Sequence, residues 1–174
     1  MINCPFCSAD NIEGADTCDE CGQSLADAHI TAPASEIERS LLKDGISALQ
    51  PKSPITVALD APVREVLKLM VQKRIGCAFV VEDERLVGIF TERDALMRIG
   101  VAAVEFGDRP VSQFMTGGPR VLMMDAKVAF AVRMMDQGGY RHIPVVDQDN
   151  KPVGAISARD ILGYFADKLA AAAV

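Results

Sequence analysis

Four cysteines near the start of the chain are the residues best suited to chemistry. Cys4 and Cys7 form one CxxC pair, and Cys18 and Cys21 form a second pair after ten intervening residues. A CxxC turn can aim two thiolates at one point, so two such turns supply the four sulfurs of a tetrahedral Zn²⁺ site. Gly22, directly after the second pair, suits the left-handed end of such a turn. The spacing predicts a closed structural zinc site with no coordination position left for catalysis.

Two other uses of paired cysteines fit this chain less well. Disulfides are rare in reducing compartments, and no basic segment followed by an apolar stretch at the N-terminus indicates secretion. A redox CxxC normally lies beside a βαβ pattern, which this stretch lacks. Residues 1–25 therefore resemble a short zinc ribbon whose ligands are Cys4, Cys7, Cys18 and Cys21.

Acidic residues dominate the ribbon and the segment after it. The 174 residues carry a formal net charge of −6, and residues 1–38 contain no Lys or Arg. Because contacts to nucleic-acid phosphates need cations, this charge argues against a nucleic-acid partner. We expect the ribbon to contact protein or a second copy of the chain. A solvated element that only adds stability remains an equal alternative.

The overall composition indicates a folded protein outside the membrane. Hydrophobic residues make up 49% and charged residues 24%, which is close to ordinary globular composition. Apolar runs are broken by charge well before about 18 residues, so no membrane span is expected. These features, with the lack of a signal-peptide pattern, predict a soluble cytoplasmic protein in a reducing compartment. Residues 26–45 are expected to form a helical linker, because Ser35 and Glu38 have capping-box spacing ahead of apolar residues at helical intervals.

The rest of the chain repeats itself. The sequence DAPV at 60–63 recurs as DAKV at 125–128, an offset of 65 residues. VGIFTERD at 87–94 recurs as VGAISARD at 153–160, an offset of 66 residues. The apolar periodicity and the polar turns predict the order β-α-β-β-α in each copy. The sequence thus predicts a mixed α/β (α+β) fold of two similar modules packed with pseudo-twofold symmetry.

Residues 46–168 resemble a tandem pair of CBS domains, also called a Bateman module. The resemblance is carried by GIFTERD at 88–94, GAISARD at 154–160 and YRHIPVVD at 140–147. It implies a first CBS repeat at 46–104, called copy one below, and a second at 105–174, called copy two. It also implies two clefts between the copies, homodimers formed through the CBS pair, and an adenosine-containing ligand: AMP, ADP, ATP or S-adenosylmethionine.

The resemblance further implies which residues contact such a ligand. The expected set is Thr56, Thr91, Arg93, Asp94, Leu122, Arg141, His142, Ser157, Arg159 and Asp160. The two aspartates can accept hydrogen bonds from both hydroxyls of a ribose, and the arginines are planar donors for phosphate. The hydroxyl residues can bond ribose or phosphate, and backbone groups beginning at Thr56 and Leu122 would meet the adenine edge.

The same motifs also fit an ordinary helix start. Thr91 and Ser157 are typical N-cap residues, and Asp94 and Asp160 stand three positions later, where a capping partner belongs. Capping alone would explain these residue types. Both interpretations stay open from the sequence.

The two copies differ at one position that bears on phosphate. Arg141 and His142 of copy two align with Gly76 and Cys77 of copy one. The resemblance implies that a basic pair at this position contacts ligand phosphates. We therefore expect at most one high-affinity nucleotide site per chain, or two unequal sites, and we expect Cys77 to be a small buried residue.

These features favour a non-catalytic regulatory protein over an enzyme. The sequence shows no pairing of nucleophile and base, no P-loop and no open metal site, and it contains two histidines. Because no catalytic domain accompanies the sensor, we expect the output to lie in a protein partner. The alternatives are a structural scaffold with empty clefts and a nucleic-acid-associated regulator acting through the ribbon.

Overall fold

A computed structural model describes residues 2–4, 6–12, 15–25 and 35–172 of the chain. The first part of the predicted linker, residues 26–34, and the last two residues of the C-terminal tail lie outside the described residues. The chain divides into two compact units. The first unit comprises Met1–Gln50, Met124–Arg141 and Ser157–Val174, and the second comprises Pro51–Met123 and His142–Ile156. The predicted domain boundaries stay predictions.

The N-terminal segment forms a small hairpin followed by a capped helix. Strand β1 (Ile2–Asn3) pairs antiparallel with β2 (Asp10–Asn11). Helix α1 (Glu36–Lys43) begins where the sequence predicts, because the Ser35 hydroxyl accepts the Glu38 N–H at 3.1 Å. A short 3-10 turn, Ile46–Leu49, then leads into the repeated part of the chain.

Copy one has the predicted β-α-β-β-α order. Its elements are β3 (Thr56–Ala58), α2 (Val63–Lys73), β4 (Cys77–Glu82), β5 (Arg85–Thr91) and α3 (Glu92–Asp94). Strand β4 pairs parallel with β3 and antiparallel with β5. The predicted helix over 92–99 is α-helical only in its first turn, because Ala95–Ile99 winds as a wider π turn that ends at Gly100, where φ is +49°.

The segment between the copies completes the first sheet. Helix α4 (Ala103–Phe106) and strand β6 (Thr116–Gly117) follow the π turn, with a 3-10 turn, Val111–Gln113, between them. Strand β6 pairs antiparallel with β5, which gives the sheet order β3-β4-β5-β6. This pairing brings Thr116 back to the start of α3, where one of the repeated motifs lies.

Copy two repeats the same order with a longer final helix. Its elements are β7 (Leu122–Met123), α5 (Val128–Gly138), β8 (His142–Val146), β9 (Pro152–Ser157) and α6 (Ala158–Ala172). The sheet order is β7-β8-β9, and β7 runs parallel to β8. The Ala-rich C-terminal sequence continues α6 to Ala172, since Ala is the strongest helix former. Over the described ranges, no helix is both long and apolar enough to span a bilayer.

The core of the second unit forms where α2 packs on the first sheet. Val63, Val66 and Met70 are buried on one face of α2 at helical spacing. They pack with Val80 of β4 and Phe90 of β5, both fully buried. Cys77 and Phe79 of the same strand pack in a second apolar cluster with Leu86 and Ile89 of β5, so β4 is buried on both faces.

In the first unit, a polar network ties α6 to the residue that follows α1. The Tyr164 hydroxyl donates to Asp44 Oδ2 at 2.8 Å, and Lys168 Nζ lies 2.8 Å from the same oxygen. The hydrogen bond and charge of Lys168 hold the pKa of Asp44 below its usual value. Burial, together with the negative Asp44, raises the pKa of Tyr164 to about 12.

Replacing Tyr164 by Phe is expected to lower the free energy of unfolding by about 1–2 kcal/mol at neutral pH, because Asp44 loses one donor. The Tyr164 pKa is higher in the folded state than its ordinary value of about 10. This group's contribution is therefore complete below about pH 10 and is lost as the pH rises toward about 12. Urea denaturation followed by circular dichroism from pH 8 to 12 should show that the free energy of unfolding falls less steeply with pH in Y164F than in wild type. The exposed Tyr140→Phe should behave as wild type, and parallel curves for Y164F and wild type would contradict this account.

Candidate metal centre and ligand motifs

The four ribbon cysteines converge on one point. Their sulfur atoms all lie within 4.8 Å of one another. Cys4 Sγ is 3.7 Å from Cys21 Sγ, and Cys7 Sγ is 3.6 Å from Cys18 Sγ. A tetrahedral zinc site with Zn–S bonds of about 2.3 Å requires sulfur separations of about 3.8 Å. A disulfide requires about 2.05 Å, so these distances fit a four-thiolate metal site and exclude disulfides.

The two CxxC turns are built alike. Gly22 donates its N–H to the Cys18 carbonyl at 2.8 Å, and its φ is +68°, as the sequence predicts for the end of this turn. Ser8 occupies the corresponding place in the first turn, where its N–H donates to the Cys4 carbonyl at 2.9 Å and its φ is +63°. Cys4 and Cys18 are buried, whereas Cys7 and Cys21 are exposed.

Backbone N–H groups and burial set the protonation of the metal-free thiols. The backbone N–H of Cys21 is the main cause that lowers the pKa of Cys18 to about 6. Desolvation acts in the opposite direction on Cys21 and raises its pKa to about 12. The buried Asn11 also donates its amide to Cys18 Sγ at 3.5 Å and accepts the Asp19 N–H at 3.0 Å. Nothing in the CxxC spacing could have identified Asn11 as a supporting residue.

An aromatic contact docks the ribbon on a helix of its own chain. The ring of Phe6, between Cys4 and Cys7, lies 4.2 Å from the ring of Phe130 by centroids, at an interplanar angle of 43°. Phe130 belongs to α5, in the same unit as the ribbon. The two rings are thus in direct contact, slightly closer than the separation of about 4.5–7 Å that aromatic pairs prefer. The ribbon therefore makes an intramolecular protein contact.

In copy one, the repeated T/S-x-R-D pattern forms a closed capping box. Thr91 donates its N–H and its hydroxyl to Asp94 Oδ2 at 3.0 and 2.6 Å, and the Asp94 N–H donates back to Thr91 Oγ1 at 3.2 Å. Asp94 Oδ1 accepts the Thr116 hydroxyl at 3.2 Å and lies 3.4 Å from Arg98 Nε. The Asp94 side chain is buried, and Arg93 beside it is exposed.

In copy two, the same pattern opens α6. Ser157 donates its N–H and its hydroxyl to Asp160 Oδ2 at 2.7 and 2.6 Å. Asp160 is only half-buried, and Arg159 is exposed. The Ala158 N–H donates to the Arg141 carbonyl at 3.0 Å, which places Arg141 next to this helix start. The first unit thus gathers Arg141, Ser157, Arg159 and Asp160 at the N-terminus of one helix, where N–H groups favour an anion.

The remaining predicted ligand residues lie on strands of the second unit. Thr56 is exposed on β3 opposite Phe79 of β4, and Leu122 is buried on β7 opposite Val145 of β8. His142 begins β8. The capping interpretation is realised in both copies, and the assignment of all ten residues to a ligand stays a prediction.

Gly76, the copy-one counterpart of Arg141, lies against the ring of His142. A Cβ placed on Gly76 would lie 2.6 Å from Cε1 of the His142 ring, closer than real contacts allow. The Gly76 carbonyl accepts the Glu92 N–H at 3.0 Å, as the Arg141 carbonyl does for Ala158. The two positions are therefore equivalent in backbone bonding, but His142 fills the space that a side chain at position 76 would need.

Comparison with known proteins identifies the class of protein that this fold defines. Residues 46–100 and 111–167 each match the CBS domain family. The chain belongs to the CBS domain family and contains a tandem pair of these domains, preceded by a four-cysteine cluster that fits a zinc ribbon.

Relatives agree with this assignment over the repeated part. The CBS domain-containing protein YhcV of Bacillus subtilis is 33% identical over 111 residues, which are 61% of this chain and 74% of YhcV. The CBS domain-containing protein CBSCBSPB5 of Arabidopsis thaliana is 30% identical over 122 residues, 69% of this chain and 22% of the plant protein. The chain thus spans about a fifth of the length of this plant relative.

Two solved structures share the fold. The CBS domain pair of protein MJ0100, in complex with 5′-methylthioadenosine and S-adenosyl-L-methionine, aligns with a TM-score of 0.62 and 24% identity, covering 72% of this chain and 98% of that one. CBSX2 in complex with AMP aligns with a TM-score of 0.59 and 23% identity, covering 69% and 96%. At these identities the likeness establishes the fold alone.

Proposed function

We propose that this chain is a non-catalytic regulatory protein that binds an adenosine-containing ligand through its CBS pair and signals to a protein partner. The observation that carries the proposal is the cluster at the start of α6, where Ser157 and Asp160 lie beside Arg141. The cluster combines a carboxylate for ribose hydroxyls with a planar cation for phosphate. The AMP complex of CBSX2 and the S-adenosyl-L-methionine complex of MJ0100 support the ligand class.

The proposal favours one principal ligand site per chain, built around copy two. Asp160 is half-buried, whereas Asp94 is buried, accepts a hydrogen bond from Thr116 and pairs with Arg98. Copy one has Gly76 in place of Arg141, and the His142 ring lies against that position. Both differences point to copy two as the better receptor for a nucleotide.

We also propose structural zinc for the ribbon, with Cys4, Cys7, Cys18 and Cys21 as its ligands. Zinc would fix both CxxC turns and so hold Phe6 against Phe130 of α5. Homodimerisation through the CBS pair and a separate protein partner belong to the same proposal. An acidic ribbon without cations supports protein rather than nucleic acid as the partner.

A thermal-shift screen of the zinc-loaded protein tests the ligand class. The compounds are AMP, ADP, ATP, NADH and S-adenosylmethionine. A ligand present at 100 times its Kd should add about 2.7 kcal/mol to the free energy of unfolding, and the melting temperature should rise accordingly. If none of them raises the melting temperature, the scaffold with empty clefts becomes the better account.

Replacing Arg141 by Ala is expected to discriminate between charged and uncharged ligands. Loss of one charge-assisted bond to phosphate should weaken AMP binding by roughly 10-fold to 100-fold, because such bonds contribute about 1.5–3 kcal/mol. Binding of adenosine, which has no phosphate, should change little. Calorimetry on R141A with both ligands checks this, and exposed Arg85→Ala serves as the charge-matched control. Equal losses for AMP and adenosine would contradict a phosphate contact by Arg141.

A further inference from the structure

We propose that Arg98 closes the copy-one motif against a ligand and thereby limits the chain to one nucleotide site. The inference rests on the proposed function, since it takes the aspartate of each repeated motif as the group that would bind ribose. Arg98 lies outside that motif, four residues after Asp94, on the π turn that follows α3.

The Asp94 carboxylate already has protein partners on both of its oxygens. Thr91 donates twice to Oδ2, and the Thr116 hydroxyl donates to Oδ1. Arg98 adds an ion pair, with its Nε 3.4 Å from Oδ1. A ribose diol could bind Asp94 only by displacing protein donors that are already in place.

Arg98 is held on its far side as well. Its Nη1 donates to the Phe114 carbonyl at 2.9 Å and also to the Met115 carbonyl, and its Nη2 reaches Thr116 Oγ1 at 3.4 Å. The planar guanidinium thus joins the start of α3 to the segment that leads into β6. Moving Arg98 away from Asp94 would disturb several bonds at once. Arg98 therefore holds the position beside the Asp94 carboxylate that a ribose hydroxyl would need.

Copy two has no equivalent of this arginine. At the 66-residue offset that aligns Asp94 with Asp160, the counterpart of Arg98 is Tyr164. The Tyr164 hydroxyl donates instead to Asp44, which also pairs with Lys168. Copy one therefore has an arginine paired with the motif's carboxylate, where copy two has a tyrosine bonded to Asp44, and this difference carries the role that we give to Arg98.

Calorimetric titration of the zinc-loaded full chain with AMP, and separately with S-adenosylmethionine, tests this role. Arg98→Met keeps the length of the side chain and removes its donors, whereas Arg64→Met removes an arginine from an exposed pair with Asp108 and is the control. Wild type and R64M should bind one ligand per chain, and R98M should bind two. The second ligand should bind to R98M at least about tenfold more tightly than any second ligand binds to wild type. This second site should be lost in the double variant R98M/D94N.

The possible outcomes separate this inference from the proposed function. A folded R98M that binds one ligand, like wild type, overturns the role of Arg98 and leaves the proposed function standing. Two equal sites in wild type also overturn it, and so does binding by R98M alone, because the wild-type chain should keep one site in copy two. No binding by either protein overturns both. If R98M fails to fold, Arg98→Gln replaces it, because Gln has neither the charge nor the guanidinium fork of Arg, and it should also reveal a second site.

Discussion

Replacing Cys18 by Ser is expected to lower the affinity for zinc by about 100-fold or more and to leave the purified protein substantially short of one zinc per chain. Structural zinc contributes roughly 10–16 kcal/mol of apparent binding free energy, and one of four ligands accounts for about a quarter of it. Cys18 is buried at the centre of the ribbon with Cys4 and Leu25, so the loss should also loosen this small core. Metal analysis and competition with a chromophoric chelator measure the change.

Cys77 provides the matched control for this prediction. It is buried in the second unit, and burial, followed by the charge of Glu92, raises the pKa of its thiol to about 12. Cys77→Ala should therefore retain one zinc per chain. Full zinc content in C18S, or the same loss in C77A, would contradict a zinc site made by the four ribbon cysteines. Iron in place of zinc in the wild-type protein would contradict the choice of metal.

Replacing Asp160 by Asn is expected to weaken binding of the adenosine ligand by roughly 10-fold to 100-fold. A carboxylate that accepts ribose hydroxyls contributes about 1.5–3 kcal/mol through bonds to a charged group. Asp94→Asn, the same change in the other copy, should alter ligand affinity little, because Asp94 is buried and occupied by Thr91, Thr116 and Arg98. Calorimetry on both variants measures the difference.

The paired design separates binding from stability. Each aspartate bonds the hydroxyl and N–H of its own N-cap residue, so each variant should lose a similar capping contribution of about 1 kcal/mol. Thermal denaturation without ligand measures the stability of each variant, and D94N should lose more, because Asp94 also accepts the Thr116 hydroxyl and pairs with Arg98. Equal loss of ligand affinity in D160N and D94N, or a larger loss in D94N, would contradict a principal site in copy two.

The sequence was sufficient to predict the fold because its signals are local and occur twice. The apolar spacing of Val63, Val66 and Met70 marks α2, and the capping residues Ser35 and Thr91 mark helix starts that the structure confirms. The four cysteines predict their own convergence, since CxxC spacing constrains each pair to a single turn. Repetition of the whole pattern strengthened each of these predictions.

The contacts that distinguish the two copies depend on residues far apart in the chain. Thr116 reaches Asp94 only because β6 pairs back onto β5, and the ring of His142 meets Gly76 only after β8 has formed. The i,i+4 spacing of Asp94 and Arg98 was visible in the sequence and could have suggested an ion pair. The bonds from Arg98 to the carbonyls before β6 could not be predicted, because they depend on the π turn and on the path of the connecting segment.

The central claim is that the CBS pair binds an adenosine-containing ligand, principally through copy two. The most direct test is calorimetric titration of the zinc-loaded wild-type chain with AMP, ADP, ATP and S-adenosylmethionine, each in a separate experiment. For at least one of them we predict saturable binding at one ligand per chain, which D160N weakens. Absence of binding by all four to folded, zinc-loaded protein would contradict the claim.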